Sequence, residues 1–208
     1  RRGTVCQRHP RTALHAGDSG RVREQDSLAV SGGSGSPDQV EERRPARLQI
    51  PAHAKINLCL KILGRRPDGL HELERVVQTV DLHDDLVFEV RPEGITIDVD
   101  DPTVPSGPEN LAFRAAASLP APASPPRGVH IRIRKAIPAG SGLGGGSSNA
   151  PATLLALRRL WGLDLPRRRL EEIAATLGAD VPFFLCGGTA LLSGTGSVVE
   201  PLPDLGGY

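Results

Sequence analysis

The run Pro138-Ala-Gly-Ser-Gly-Leu-Gly-Gly-Gly-Ser-Ser-Asn149 constrains the fold of this chain more than any other stretch. Gly140, Gly142, Gly144, Gly145 and Gly146 reach φ > 0 without a Cβ penalty and let backbone approach a ligand. Successive exposed N–H groups in such a run form a concave anion site. Ahead of it, Val129, Ile131 and Ile133 alternate with His130, Arg132 and Arg134, the pattern of a strand with one dry and one wet face. Behind it, Ala150, Leu154, Leu157 and Trp161 fall at helical spacing and stop at Gly162. A plain linker needs neither flank. A loop that leaves a strand and opens a helix presents orphan amides and the positive end of a dipole, which favour phosphate. The hydroxyls of Ser147 and Ser148 suit a phosphate-bound Mg²⁺, and they suit simple capping of the helix equally well.

Two well-known phosphate loops do not account for the run. No Lys follows the glycines, so the Walker A pattern fails. Gly140, Gly142 and Gly145 match G-x-G-x-x-G, but that fingerprint needs a doubly buried parallel strand leading in. The strand here carries charge on alternate positions, and Asp164 follows only after a Trp-Gly break.

Composition narrows the function classes. The 25 basic and 24 acidic residues leave a net charge of +1, which gives no electrostatic case for bulk nucleic-acid or membrane binding. Aromatics are 3% of the chain, so the core must rest on Val, Leu, Ile and Ala. Cys6, Cys59 and Cys186 are odd in number and widely spaced, which fits a reduced, cytoplasmic setting better than a disulfide framework. No apolar run approaches the ~18 residues of a membrane-spanning helix, and no signal-peptide core is present. There is no Met, so the sequence does not begin at an ordinary initiator.

Residues 1–47 differ in kind from the rest. Nine arginines are scattered among six acids, and only Leu14 and Leu28 stand out as large aliphatics other than Val. Such a segment cannot bury enough apolar surface to offset its ordering entropy, and is expected to be a disordered extension. From Leu48 a single domain is expected to run to residue 208. Ile56, Leu58, Leu60 and Ile62 alternate with polar residues as a half-buried strand, and Gly64–Gly69 forms a turn. Strands are expected around Val76–Val80 and at Leu86–Val90, the latter in a hairpin with Ile95–Val99. Asn110–Leu119 reads as a helix, and the proline-rich 120–127 as a loop. A helix from Ala150, with Pro151 in its first turn, precedes one capped by Asp164 and stopped by Gly178. A last hairpin joins Thr189–Leu192 to Ser197–Val199. Strands first and mixed elements later make an α+β domain with an antiparallel-rich sheet.

Four segments in order, Ala54-Lys55-Ile56-Asn57-Leu58, Asp68-Gly69-Leu70-His71-Glu72, Pro138–Asn149 and Gly178-Ala179-Asp180-Val181-Pro182, give the chain a family resemblance. From about Leu48 to Leu205 it resembles the amino-terminal half of the 4-diphosphocytidyl-2-C-methyl-D-erythritol kinases of the GHMP superfamily. The resemblance implies a ribosomal protein S5 domain 2-like fold with helices on one face of a mixed sheet. It implies ATP and Mg²⁺, and transfer of phosphate to a hydroxyl of a small-molecule cytidyl diphosphate substrate in non-mevalonate isoprenoid synthesis. It makes Asp180 the acceptor of the substrate proton and Lys55 its catalytic partner. It sets Pro138, Gly140, Gly142, Leu143, Gly144, Gly145, Gly146, Ser147, Ser148, Asn110 and Lys135 around the nucleotide, with Ser147 and Ser148 toward the metal. It sets Asn57, Leu70, His71 and Asn149 toward the other substrate.

Residue by residue, blander readings stand beside these: a turn Asp at 180, a solvated strand Lys at 55, a turn histidine at 71 and a helix N-cap at Asn110. Leu70 stands where the family often has an aromatic ring. The resemblance stops short of the family's carboxy-terminal domain, which is not expected within these residues, so low activity is expected of this chain by itself. A mevalonate- or homoserine-type GHMP kinase, or a non-enzymatic S5-like binding domain, are the rival readings.

Overall fold

The computed structural model describes residues 46–65, 69, 71–120, 128–194, 196, 198–203 and 205, with only the backbone of His71. The expected extension (1–47) and the loop at 120–127 therefore fall almost wholly outside the described residues, although Arg47 already begins a strand.

The architecture is α+β, with six strands and four helices among the described residues. In chain order they are β1 (Arg47–Arg65), β2 (His71–Arg91), β3 (Ile95–Val99), α1 (Leu111–Ser118), β4 (Gly128–Arg134), α2 (Gly145–Leu160), α3 (Arg167–Leu177), α4 (Val181–Cys186), β5 (Thr189–Gly194) and β6 (Val198–Pro201). The long β2 organises the sheet. Antiparallel β1 covers one of its edges. Its other edge takes β5 along Leu73–Gln78 and β4 along Asp85–Arg91. The Thr79 amide continues the β5 side by donating to the Gly188 carbonyl at 2.9 Å, and over Val80–Asp84 no described strand pairs with that edge.

The expected hairpin of Leu86–Val90 with Ile95–Val99 does not form. β4 inserts between β2 and β3, pairing parallel with β3. The chain leaves β3, crosses through α1 and returns beside it, a parallel crossover unit. Close approach at Gly128 permits this: a Cβ there would lie 2.2 Å from the Glu93 carbonyl carbon. The hairpin of Thr189–Leu192 with Val198–Val199 does form, as β5 and β6.

The dry face of the sheet, with Leu48, Ala52, Leu86, Phe88, Ile131 and Ile133, packs against Ala112, Ala115, Leu154, Leu157, Leu170 and Ile173 from the helices. Ile56, Leu58, Leu60 and Ile62 alternate with polar residues as expected, but all four are exposed rather than half-buried. Helix boundaries also shift. Helix α2 begins at Gly145, so Pro151 lies inside it, not in its first turn, and leaves the Ser147 carbonyl without its intrahelical donor. Pro166, not Asp164, is the N-cap of α3. Among the described residues no helix is long and apolar enough to cross a membrane.

The inward phase of β2 reverses along its length. Arg75 and Val77 point toward the helices in its first half, Asp84, Leu86 and Phe88 in its second. The switch coincides with an irregularity in which His53 faces His83 but Lys55 faces Thr79. An irregular register of this kind re-aims side chains and is frequent beside functional sites.

Candidate active site

The glycine run and the reversal in β2 meet at one end of the sheet. Gly140, Gly142 and Gly144 have φ of 72°, 77° and 81°, whereas Ser141 and Leu143 between them stay at negative φ. Alternation of that kind turns successive amides into one concavity. Gly144 is the left-handed N-cap of α2, so Gly145 and Gly146 are already helical and the helix N-terminus opens into the loop. The loop is tied to β1 by the amide of Lys55, which donates to the Leu143 carbonyl at 2.9 Å.

Asp84 anchors the other side of the loop. This fully buried carboxylate accepts the amides of Ala136 and Ile137, each at 2.9 Å, and pairs with the Lys135 ammonium. The expected nucleotide-side Lys135 thus has its charge committed to Asp84, while its side chain still lines the cavity.

That cavity holds about 470 Å³. Pro138, Gly140, Gly142 and Gly144–Ser147 line it, together with Asn110, Glu109, Lys135 and Asp180. Asn110 caps α1, accepting from the Ala112 amide at 2.9 Å and donating to the Pro105 carbonyl at 2.7 Å. Capping and a place on the cavity wall coexist there. Asn149, set by resemblance toward the other substrate, lines this same cavity. Its Oδ1 is buried without a hydrogen-bond partner, a cost that a bound donor would remove.

The two serines part company. Ser147 lines the cavity. Ser148 is buried, its hydroxyl donating to the Gly145 carbonyl at 2.8 Å and lying 3.5 Å from that of Ala52. Consecutive helical residues point ~100° apart, so the two hydroxyls meet different surroundings, and of the pair set by resemblance toward a metal only Ser147 lines the cavity.

Lys55 and Asp180 come together from β1 and the start of α4. The Lys55 Nζ lies 3.6 Å from one Asp180 carboxylate oxygen and 3.4 Å from the Asn57 Oδ1. Lys55 is 4% exposed, so the solvated-strand reading does not apply. Arg75 on β2 pairs with the other Asp180 oxygen. Gly196 leaves room for it, since a Cβ there would sit 2.7 Å from the Arg75 Nη2. Leu70 lies outside the described residues, and the His71 backbone opens β2 opposite Arg65.

Arg75 and Asp84 were missed in the sequence, yet a signal for both exists. Each shares the phase of buried apolar residues on its half of β2, and a charge in that phase must be paired. Gly144 is a tight joint: a Cβ there would lie 2.8 Å from the Phe184 ring and 3.3 Å from the Lys55 Cγ. Gly144→Ala is therefore expected to cost about 1–3 kcal/mol and to push Lys55 off Asp180. Gly140→Ala, with nothing within 4 Å of its Cβ, should show backbone strain alone. Thermal melts of the two variants check the difference.

Known proteins share the fold and much of the sequence. Residues 110–188 match the family model "GHMP kinases N terminal domain". The chain is 51% identical over 157 residues to a 4-diphosphocytidyl-2-C-methyl-D-erythritol kinase of Acidovorax ebreus, covering 76% of this chain and 55% of that protein. It is 49% identical over 161 residues to the enzyme of that name from Pelotomaculum thermopropionicum, covering 74% and 55%. A crystal structure of 4-(cytidine 5'-diphospho)-2C-methyl-D-erythritol kinase superposes with a TM-score of 0.65 at 44% identity, covering 74% of this chain and 55% of that one. The homoserine kinase of Cytophaga hutchinsonii, at 17% identity and a TM-score of 0.54 over 83% of this chain and 55% of its own, shares the fold. The chain spans about half the length of the curated relatives it matches.

Proposed function

We infer, from a chain that belongs to the GHMP kinases through their amino-terminal domain, that the protein moves the γ-phosphoryl group of ATP to a hydroxyl of 4-diphosphocytidyl-2-C-methyl-D-erythritol. The observation that carries this reading is Asp180: it lines the glycine-loop cavity and pairs with a buried Lys55.

Phosphoryl transfer asks a protein for positioning and charge stabilisation more than for covalent chemistry. The amides of Gly140–Ser147 and the N-terminus of α2 receive the phosphates. Asp180 accepts the proton of the attacking hydroxyl. Lys55 faces the same carboxylate and offsets negative charge as the phosphoryl group moves. Arg75 holds the second carboxylate oxygen and fixes its orientation. Ser147 and the carboxylate of Glu109 line the cavity and are oxygen donors of the kind Mg²⁺ takes, so the residues present fit the ion. When bound, Mg²⁺ neutralises phosphate charge. Asn57 beside Lys55 and Asn149 with its free oxygen are the polar groups for the nucleotide and acceptor substrate.

A substrate panel tests this reading. Protein carrying this sequence at the length of its relatives is incubated with Mg²⁺, labelled ATP and the cytidyl diphosphate substrate, mevalonate or homoserine. Transfer to the first is expected; transfer confined to either of the others refutes the assignment. RNA retention without nucleotide binding would favour a binding domain instead.

A further inference from the structure

On the sheet face away from the helices, the irregular register beside Lys55 gathers a second cluster. His53 and His83 are direct cross-strand partners, their ring centroids 5.1 Å apart. The extra residues of β2 opposite Ala54 bring Asp81 to the same spot. One ring nitrogen of each histidine and one Asp81 carboxylate oxygen lie within 4.8 Å of one another. None of the three belongs to the glycine-loop cavity.

We propose that His53, His83 and Asp81 form a binding site for a divalent transition metal of the Zn²⁺ type, which staples β1 to β2 at the irregular register. Two imidazoles and one carboxylate are the donor set such ions prefer, and water would complete the shell. A chance cluster of side chains would not need its rings oriented. Here both are. The His83 Nδ1 lies 2.7 Å from the Asp81 carbonyl oxygen, so an Nδ1–H donated there leaves Nε2 basic. His53 hydrogen-bonds the backbone of Val80. Imidazoles that ligate metals characteristically give their other N–H to a carbonyl or carboxylate in this manner. Asp85 adds a carboxylate oxygen 3.9 Å from the His83 Nε2. Metal–ligand bonds of ~2.1 Å would draw the three donor atoms closer together than their present spread. Exposed Asp81 is free to supply that movement.

The test is titration of the 208-residue chain with Co²⁺ alone, read by its visible absorption, and then displacement by Zn²⁺. One ion with a nitrogen–oxygen ligand spectrum is expected. His53→Ala and His83→Ala should each weaken Zn²⁺ binding by ~10–100-fold, the loss seen even when only a supporting residue of a metal site is removed. Glu72→Gln, on the far arm of β2, should leave it unchanged. If the alanine variants unfold, His53→Gln and His83→Gln give the same reading at conserved volume. Equal affinity in wild type and the doubly substituted chain would overturn the proposal, as would no uptake of Co²⁺ by the wild type. ATP binding is measured alongside, and its retention in the histidine variants separates this site from the kinase reading.

Discussion

Asp180→Asn is expected to lower phosphoryl transfer by about 10²–10⁴-fold, the usual contribution of a positioned acid–base group. ATP affinity should change little, because the phosphate cradle is built from backbone of Gly140–Ser147 and stays intact. The substitution is isosteric, so the cavity keeps its shape. What it removes is the charge that faces Lys55 and Arg75, two cations with side chains only 5% and 12% exposed. An amide oxygen still accepts a hydrogen bond from one of them but cannot take a proton from an alcohol. Turnover and nucleotide binding measured on the same preparation separate these effects. Unchanged turnover would remove Asp180 from the reaction, and lost ATP binding would show it to be structural instead. Arg75→Lys supplies the complementary case: it keeps the charge and loses the planar fork, so kcat should fall with little change in KM.

The second large effect is expected at a residue that never touches substrate. Asp84→Ala should destabilise the fold by about 3–5 kcal/mol, the cost of breaking a buried pair while leaving one charge behind. Lys135, 8% exposed at its side chain, would lose its partner, and the amides of Ala136 and Ile137 would lose their acceptor. Those two residues lead directly into Pro138, so the phosphate loop should loosen along with the fold. Denaturant unfolding gives the stability change, and ATP affinity should fall in the same variant. The double variant Asp84→Leu with Lys135→Met, which removes both charges, should recover much of the stability but not the loop geometry. By contrast, Glu172→Gln on α3 breaks surface pairs with Arg168 and Arg169 and should leave stability unchanged within error. An Asp84→Ala protein as stable as the wild type would overturn the anchoring role.

The residues that spoke plainly in the sequence were those whose chemistry is local. Glycines 140, 142 and 144 were legible as φ > 0 positions because no other residue adopts that backbone readily. The alternation of Val129, Ile131 and Ile133 gave the wet and dry faces of β4, since side-chain direction follows strand period alone. Lys55 and Asp180 were found through resemblance, with their contact unproved until β1 and α4 were in place. Asp84 and Arg75 were not found at all. Each shares the phase of apolar neighbours on its own half of β2, but the phase switches at the irregular register in mid-strand, so one period-2 reading along the whole strand misses one or the other.

Thus the sequence by itself determined an α+β domain, a glycine-rich loop between a strand and a helix, and the residue types available for the proposed transfer. Those follow from backbone conformational limits and from the spacing of apolar residues. The tertiary structure decided which strand lies beside which, since β4 enters between β2 and β3 and dissolves the expected hairpin. It turned Ser147 and Ser148 in different directions, because α2 already begins at Gly145 and consecutive helical residues point ~100° apart. Above all it set Arg75 and Lys55 on one carboxylate, and Asp84 under the loop, from positions far apart in the chain. Pairings of that kind rest on long-range register and on the need to neutralise each buried charge, which only the assembled sheet can satisfy.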